Sequence, residues 1–216
     1  MTLNAGDWIE IDFIGKIKSN NNIFDLTLAD VAKKEKIFDE KRKYKPLVAC
    51  LGKGHLIKGL DEAFLTKDVG QEFDLDIEPE NAFGQKNPSL MQITNINIFK
   101  KQGFTPITGM QVSVDGMLAT VRSVTGGRVV IDFNHPLSGR ALHYWVKINR
   151  KVEKDDEKVK AVVSLMTGEE VEEVKQDEKE VTIKTKTKLP EQAQDLLKKQ
   201  IFETVPDVAK KALKFE

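Results

Sequence analysis

The chain has 216 residues, with 34 lysines and arginines balanced by 34 aspartates and glutamates, and a single cysteine, Cys50. Zero net charge excludes a nucleic-acid binder that depends on a basic field, and one cysteine excludes an intramolecular disulfide and fits a reducing cytoplasm. No run approaches the roughly 20 apolar residues that span a bilayer, and the start MTLNAGDWIEIDF has neither the basic head nor the apolar stretch of a signal peptide, so a cytoplasmic protein without membrane partners is expected.

In chain order, residues 7–17 predict a strand, because Ile9, Ile11 and Phe13 alternate with Glu10 and Asp12. The asparagines at 20–22 make a turn, and Ile23, Phe24 and Asp25 return the chain. Residues 26–38 carry Leu28, Val31 and Ala32 at helical spacing and predict a surface helix, and the basic run 41–45 predicts a solvated loop rather than a docking patch. Residues 47–51 predict a strand. The stretch LGKGHLIKGLDEAFL at 51–65 then turns at Gly52 and Gly54 and enters a helix whose Ile57, Leu60 and Phe64 share one face. Its opening backbone N–H groups have no partner within the helix, and Leu56 and Ile57 stand beside them. Phe73, Leu75 and Ile77 alternate as a further strand, and 78–84 predicts a loop.

Residues 90–99 predict a strand, and the turn signals Asp115-Gly116 and Gly126-Gly127 divide 110–133 into three more. Leu142, Tyr144, Val146 and Ile148 alternate as a closing strand after a loop at 134–139. The last 66 residues hold 30 of the 68 charged residues, a rise that marks a boundary near Arg150. Beyond it the pattern predicts a strand at 159–166, two further strands at 171–174 and 180–189, a helix opened by Pro190 and a helical segment after Pro206.

Four blocks in this order, IFD at 23–25, LGKGHLIKGLDEAF at 51–64, NAFG at 81–84 and DFNHPLSGRALHYWV at 132–146, resemble the FKBP family of peptidyl-prolyl isomerases, and more narrowly its SlyD-like archaeal or bacterial branch. The resemblance covers roughly residues 6–150. It implies an α+β fold, an antiparallel β-sheet wrapped on a short helix, with an inserted small β-domain and a C-terminal α+β domain. The expected division is 1–85 plus 131–153 for the isomerase, 86–130 for an insert-in-flap chaperone domain, and 154–216 for a dimerisation or docking domain. About 60 residues make a marginal core alone, so a homodimer through that last domain is expected.

By motif, the resemblance places Phe13, Phe24, Asp25, Leu47, Leu56, Ile57, Leu60, Phe83 and Tyr144 around the catalytic pocket, with the Ile57 N–H expected to bind a substrate carbonyl and residues 135–137 in a loop beside it. Phe13 and Phe83 stand where the family usually has tyrosine, and Leu60 where many members have tryptophan. These departures leave Asp25 with fewer partners and put macrolide binding in question, but they keep the apolar enclosure. Met91, Ile96 and Phe99 are the expected contacts with unfolded clients, within an apolar set that also includes Ile93, Ile98, Phe104, Met110 and Met117.

Rotation about a peptide bond meets a barrier of about 18 to 20 kcal/mol, and X-Pro bonds populate both isomers and exchange slowly enough to limit folding. Catalysing that exchange requires no cofactor, metal or nucleophile; it requires an environment that favours the twisted amide over the planar, dipolar one. No zinc pattern is present, Gly52, Gly54 and Gly59 do not match a phosphate loop, and Asp132, His135 and Ser138 lie in one short loop without a nucleophile elbow. The expected function is therefore isomerisation of X-Pro bonds in unfolded or partly folded polypeptides. The rival readings are a non-catalytic holdase and a scaffold that docks through its C-terminal region.

Overall fold

Alternating apolar residues build strand β1 (Trp8–Ile17), in which Ile9 and Ile11 are fully buried. The chain turns through Asn21, in the left-handed region, into β2 (Ile23–Leu26). A helix α1 (Ala29–Lys34), shorter than the 26–38 expected, precedes β3 (Leu47–Cys50), helix α2 (Lys58–Phe64) and β4 (Glu72–Ile77). Next come β5 (Met91–Asn95), α3 (Ile96–Lys101), β6 (Gln111–Val114), β7 (Met117–Thr125) and β8 (Arg128–Asp132). The chain closes with β9 (Leu142–Lys151), α4 (Asp155–Thr167), β10 (Val171–Gln176), β11 (Glu180–Thr185), α5 (Glu191–Thr204) and β12 (Ala212–Phe215). This computed structural model describes residues 2–216, which fall into two units: one runs to Ile77 and resumes with Leu142–Glu216, and the other is Glu78–Ala141.

In the first unit a five-stranded sheet has the order β2-β1-β9-β4, with β3 also paired to β1. Antiparallel register sets Phe13 opposite Val146 and Phe73 opposite the same residue, and Gly15 and Leu75 both opposite Tyr144, so these side chains share one face. Helix α2 packs on that face. The Phe64 and Phe73 rings meet edge to face at 5.9 Å, and a Cβ at Gly59 would lie 2.6 Å from Ile77 Cγ2, so glycine permits the helix to approach the strand.

On the opposite face, the end formed by β3 and the start of β1 is covered by the C-terminal segment, while Asp74, Asp76 and Lys147 further along stay exposed. Trp8, Cys50 and Val152 from the sheet share one buried cluster with Val159, Val162 and Val163 of α4, Val181 and Ile183 of β11, and Leu197 and Ile201 of α5. The Trp8 indole N–H donates to the Thr204 carbonyl at 3.1 Å, satisfying its polar edge within that cluster. Residues 154–216 therefore belong to the same unit as the isomerase sheet.

Two expectations for this segment are corrected. The strand expected at 159–166 is the helix α4: Val159, Val162 and Val163 are buried at i, i+3 and i+4, the first turn carries Asp155, Asp156 and Glu157, and Gly168 ends it at φ +72°. The helical segment expected after Pro206 is a turn followed by β12, whose Leu213 and Phe215 pair in parallel with Val181 and Ile183. β-Branched valines obscured the helical period in the first stretch, and in the second a strand edge was available only in three dimensions.

The second unit holds a four-stranded antiparallel sheet in the order β5-β8-β7-β6. Phe99, Val112, Val121, Val129 and Ile131 form its core. The strand expected across 90–99 ends at Asn95, whose side chain accepts from the Asn97 N–H at 2.9 Å and starts α3. The three strands expected within 110–133 are present as β6, β7 and β8. Among the described residues, no helix is long and apolar enough to cross a membrane.

Candidate active site

On the α2 side of the sheet, Tyr144 is the centre of an aromatic group. Its ring lies 6.0 Å from Phe13 and 5.8 Å from Phe24, the latter edge to face at 82°. The space that Phe24 occupies exists because residue 15 is glycine: a Cβ there would lie 2.7 Å from Phe24 Cζ and 3.1 Å from Tyr144 Cε1. Burial pushes the Tyr144 hydroxyl well above the usual tyrosine range, and the charge of Asp25 adds to the shift. The phenol is therefore neutral at any physiological pH.

Asp25 lies opposite Gly15 in the sheet and is ion-paired with the Arg42 guanidinium, which also donates to the Leu26 carbonyl at 2.7 Å. Arg42 in turn rests over the Tyr44 ring at 5.3 Å. The loop 41–45 is otherwise exposed as expected, with only Tyr44 half-buried. The family pattern of tyrosines had pointed to lost partners for Asp25, and only the fold shows a replacement arriving from a segment 17 residues away.

Leu47 is paired with Ile11, on the face shared with Phe13. Leu56 and Ile57 are half-buried, and Ile57 is the residue before α2, with extended backbone at φ −65° and ψ 149°. Its carbonyl accepts from the Leu60 and Asp61 N–H groups at 3.0 and 3.1 Å. Leu60 is buried at 4 % exposure. Asp61 lies in the first helical turn, and burial raises its carboxyl above the usual range, partly countered by the Gly52 N–H.

Phe83 belongs to the second unit, where its ring stacks on His135 at 4.2 Å with the planes 7° apart. The Ser138 hydroxyl donates to the Phe83 carbonyl at 2.9 Å, and the Gly139 N–H to the Gly84 carbonyl at 2.8 Å, so the NAFG block and the 134–139 loop are tied together. Asp132 accepts from Asn134 and Arg122. With Ser138 committed to a backbone carbonyl and Asp132 to these partners, the three residues of that loop do not form a hydrolytic relay.

Of the expected client contacts, Met91 is exposed at 42 %, and Ile96 is partly buried against the insert core. Phe99 is corrected: it is fully buried and packs against Phe104 at 5.7 Å. Helix α3 turns it inward, and the strand alternation assumed for 90–99 concealed this. Ile93 and Leu118, at 70 and 64 % exposure, stand out instead.

Comparison with known proteins agrees with this architecture. The family model described as FKBP-type peptidyl-prolyl cis-trans isomerase matches residues 1–98, and one described as FKBP26, IF domain, matches residues 92–137. The chain is 32 % identical over 146 residues to the short-type peptidyl-prolyl cis-trans isomerase of Methanocaldococcus jannaschii, covering 68 % of this chain and 92 % of that one. It is 32 % identical over 108 residues to the FKBP-type 16 kDa isomerase of Escherichia coli, covering 48 and 72 % of the two chains. It is also 30 % identical over 117 residues to the SlyD isomerase of Haemophilus influenzae, covering 52 and 60 %. The chain belongs to the FKBP-type peptidyl-prolyl cis-trans isomerases, on the SlyD-like side of that family. It is an isomerase of X-Pro bonds.

Proposed function

We propose that the pocket around Tyr144 carries out the isomerisation and that the inserted unit captures unfolded clients for it. Phe13, Phe24, Leu47, Leu56, Leu60 and Tyr144 form apolar walls that lower the local dielectric, and the proline ring packs among them. The Ile57 N–H holds a substrate carbonyl next to the bond that turns. Amide resonance separates charge between oxygen and nitrogen, and water stabilises that separation. Removing water and supplying apolar contact raises the planar form relative to the twisted one, so the barrier falls without covalent chemistry. Asp25, fixed by Arg42, borders the ring group with a defined charge.

The observation that supports the capture step is the apolar surface of the insert: Met91, Ile93, Ile98, Ile107, Met117 and Leu118 are all exposed, between 42 and 70 %. A single exposed apolar residue is ordinary, but six on a unit of this size fit a surface for clients without fixed shape. Tethering raises the concentration of client proline at the pocket with no new contact to the bond itself. The test is deletion of residues 86–130. Short-peptide turnover survives while aggregation suppression and refolding of a proline-limited protein are lost; an equal loss of both sinks the division of labour, and retention of holdase activity with no turnover in the intact chain favours the holdase.

We also propose a cytoplasmic homodimer joined through the C-terminal segment, where Leu165 and Met166 of α4 and Leu196 of α5 are exposed. Leu196→Glu combined with Leu165→Glu converts the dimer to a monomer by light scattering; a monomeric mass for the unaltered chain rules the dimer out.

A further inference from the structure

His55 lies two residues before Ile57, in the turn between β3 and α2, and makes three contacts outside that turn. Its Nδ1 accepts the Cys50 N–H at 3.1 Å, its ring meets Trp8 edge to face at 5.3 Å, and its Nε2 lies 3.2 Å from the Gln200 side-chain amide on α5. Because Nδ1 accepts, the proton of the neutral ring is on Nε2, which faces the Gln200 carboxamide nitrogen at 3.2 Å; a half-turn of that amide, whose two ends have the same shape, sets its oxygen to accept from the ring. Burial lowers the pKa of His55, so the ring is neutral at neutral pH and this arrangement is the populated one.

The ring thus closes the 51–57 turn against the end of β3 and bridges it to a helix 145 residues further on. Neither family model extends past residue 137, so the Gln200 end of this bridge belongs to a part of the chain outside them. We propose that His55 is a positioning residue of the isomerase, through which α5 holds the turn that presents the Ile57 N–H to the substrate carbonyl. The inference rests on the role assigned above to Ile57. It makes the C-terminal segment part of the catalytic apparatus: an imidazole locked from both sides restricts the backbone two residues later, and productive orientation is a large part of what such a site supplies.

The test combines peptide kinetics with the 1H–15N signal of the Ile57 amide. His55→Asn keeps an acceptor at the δ position for Cys50 but loses the reach to α5, and Gln200→Ala removes the same link from the far side. Each is expected to lower kcat/KM about threefold, the effect of one hydrogen bond, and to shift the Ile57 amide signal while Tm stays within about 2 °C. The double variant loses no more than either single one, because both cut one connection. Wild-type kinetics and an unmoved Ile57 signal in Gln200→Ala overturn the proposal, as do losses that multiply in the double variant. If instead the Ile57 signal of the unaltered protein does not respond to a saturating proline peptide, the role of Ile57 itself fails, and the two failures are told apart.

Discussion

Glycine at position 15 leaves room for the Phe24 ring, so Gly15→Ala forces that ring or Tyr144 to move. The backbone there is ordinary, and the cost falls on the pocket rather than on the strand. Peptide turnover is expected to fall about tenfold while the protein still melts cooperatively, a penalty of about 1.4 kcal/mol in the barrier; unchanged turnover contradicts the placement of Phe24. Arg42→Ala removes an ion pair that is largely exposed on both sides, so its effect on Tm is expected to be small, on the order of 0 to 1 kcal/mol of stability, while kcat/KM drops several-fold as Asp25 loses its anchor. The ring group was legible from motif order alone, because Phe13, Phe24 and Tyr144 meet through strand register. Arg42 was not. It reaches Asp25 from a segment whose run of basic residues looks like any solvated loop, and no local pattern marks which of them pairs with that carboxylate.

Among the elements, β8 ends in a buried carboxylate. Burial alone would raise the pKa of Asp132, but the Asn134 side chain and N–H and the Arg122 guanidinium more than offset it and hold the carboxyl below its usual range. A depressed folded pKa means that Asp132 adds stability above its unfolded pKa, and that this contribution is lost as pH falls through the lower folded value. The insert is therefore expected to lose stability below about pH 4, followed by tryptophan-independent probes such as the NMR signals of Val121 and Ile131. An Asp132→Asn variant that keeps the same acid transition shows that another group controls it. At this scale the three strands of 110–133 were readable because paired glycine and aspartate turns punctuate them. Helix α4 was not, since Val159, Val162 and Val163 have strand propensity and only their shared burial against the sheet selects the helix.

At the scale of the molecule, the C-terminal segment packs against the Trp8 and Cys50 end of the isomerase sheet. The charge rise after Arg150 is real in the sequence, but it marks a solvated outer surface rather than a break in packing, since the inward residues of α4, β11 and α5 complete a core begun by Trp8 and Cys50. Cys50 is fully buried there, and burial pushes its thiol up to about 11. It is expected to resist alkylation at pH 8 in the intact protein and to react readily once residues 154–216 are deleted; rapid labelling of the intact chain contradicts the packing. The ring group around Tyr144 is where we propose that the X-Pro bond turns. The direct measurement is the cis-trans exchange rate of a proline tetrapeptide with the intact protein and with Tyr144→Ala, each checked for cooperative unfolding. The unaltered protein accelerates exchange and the folded variant loses about tenfold or more of kcat/KM, as removal of a pocket wall requires; a folded Tyr144→Ala protein with unaltered turnover places the chemistry elsewhere.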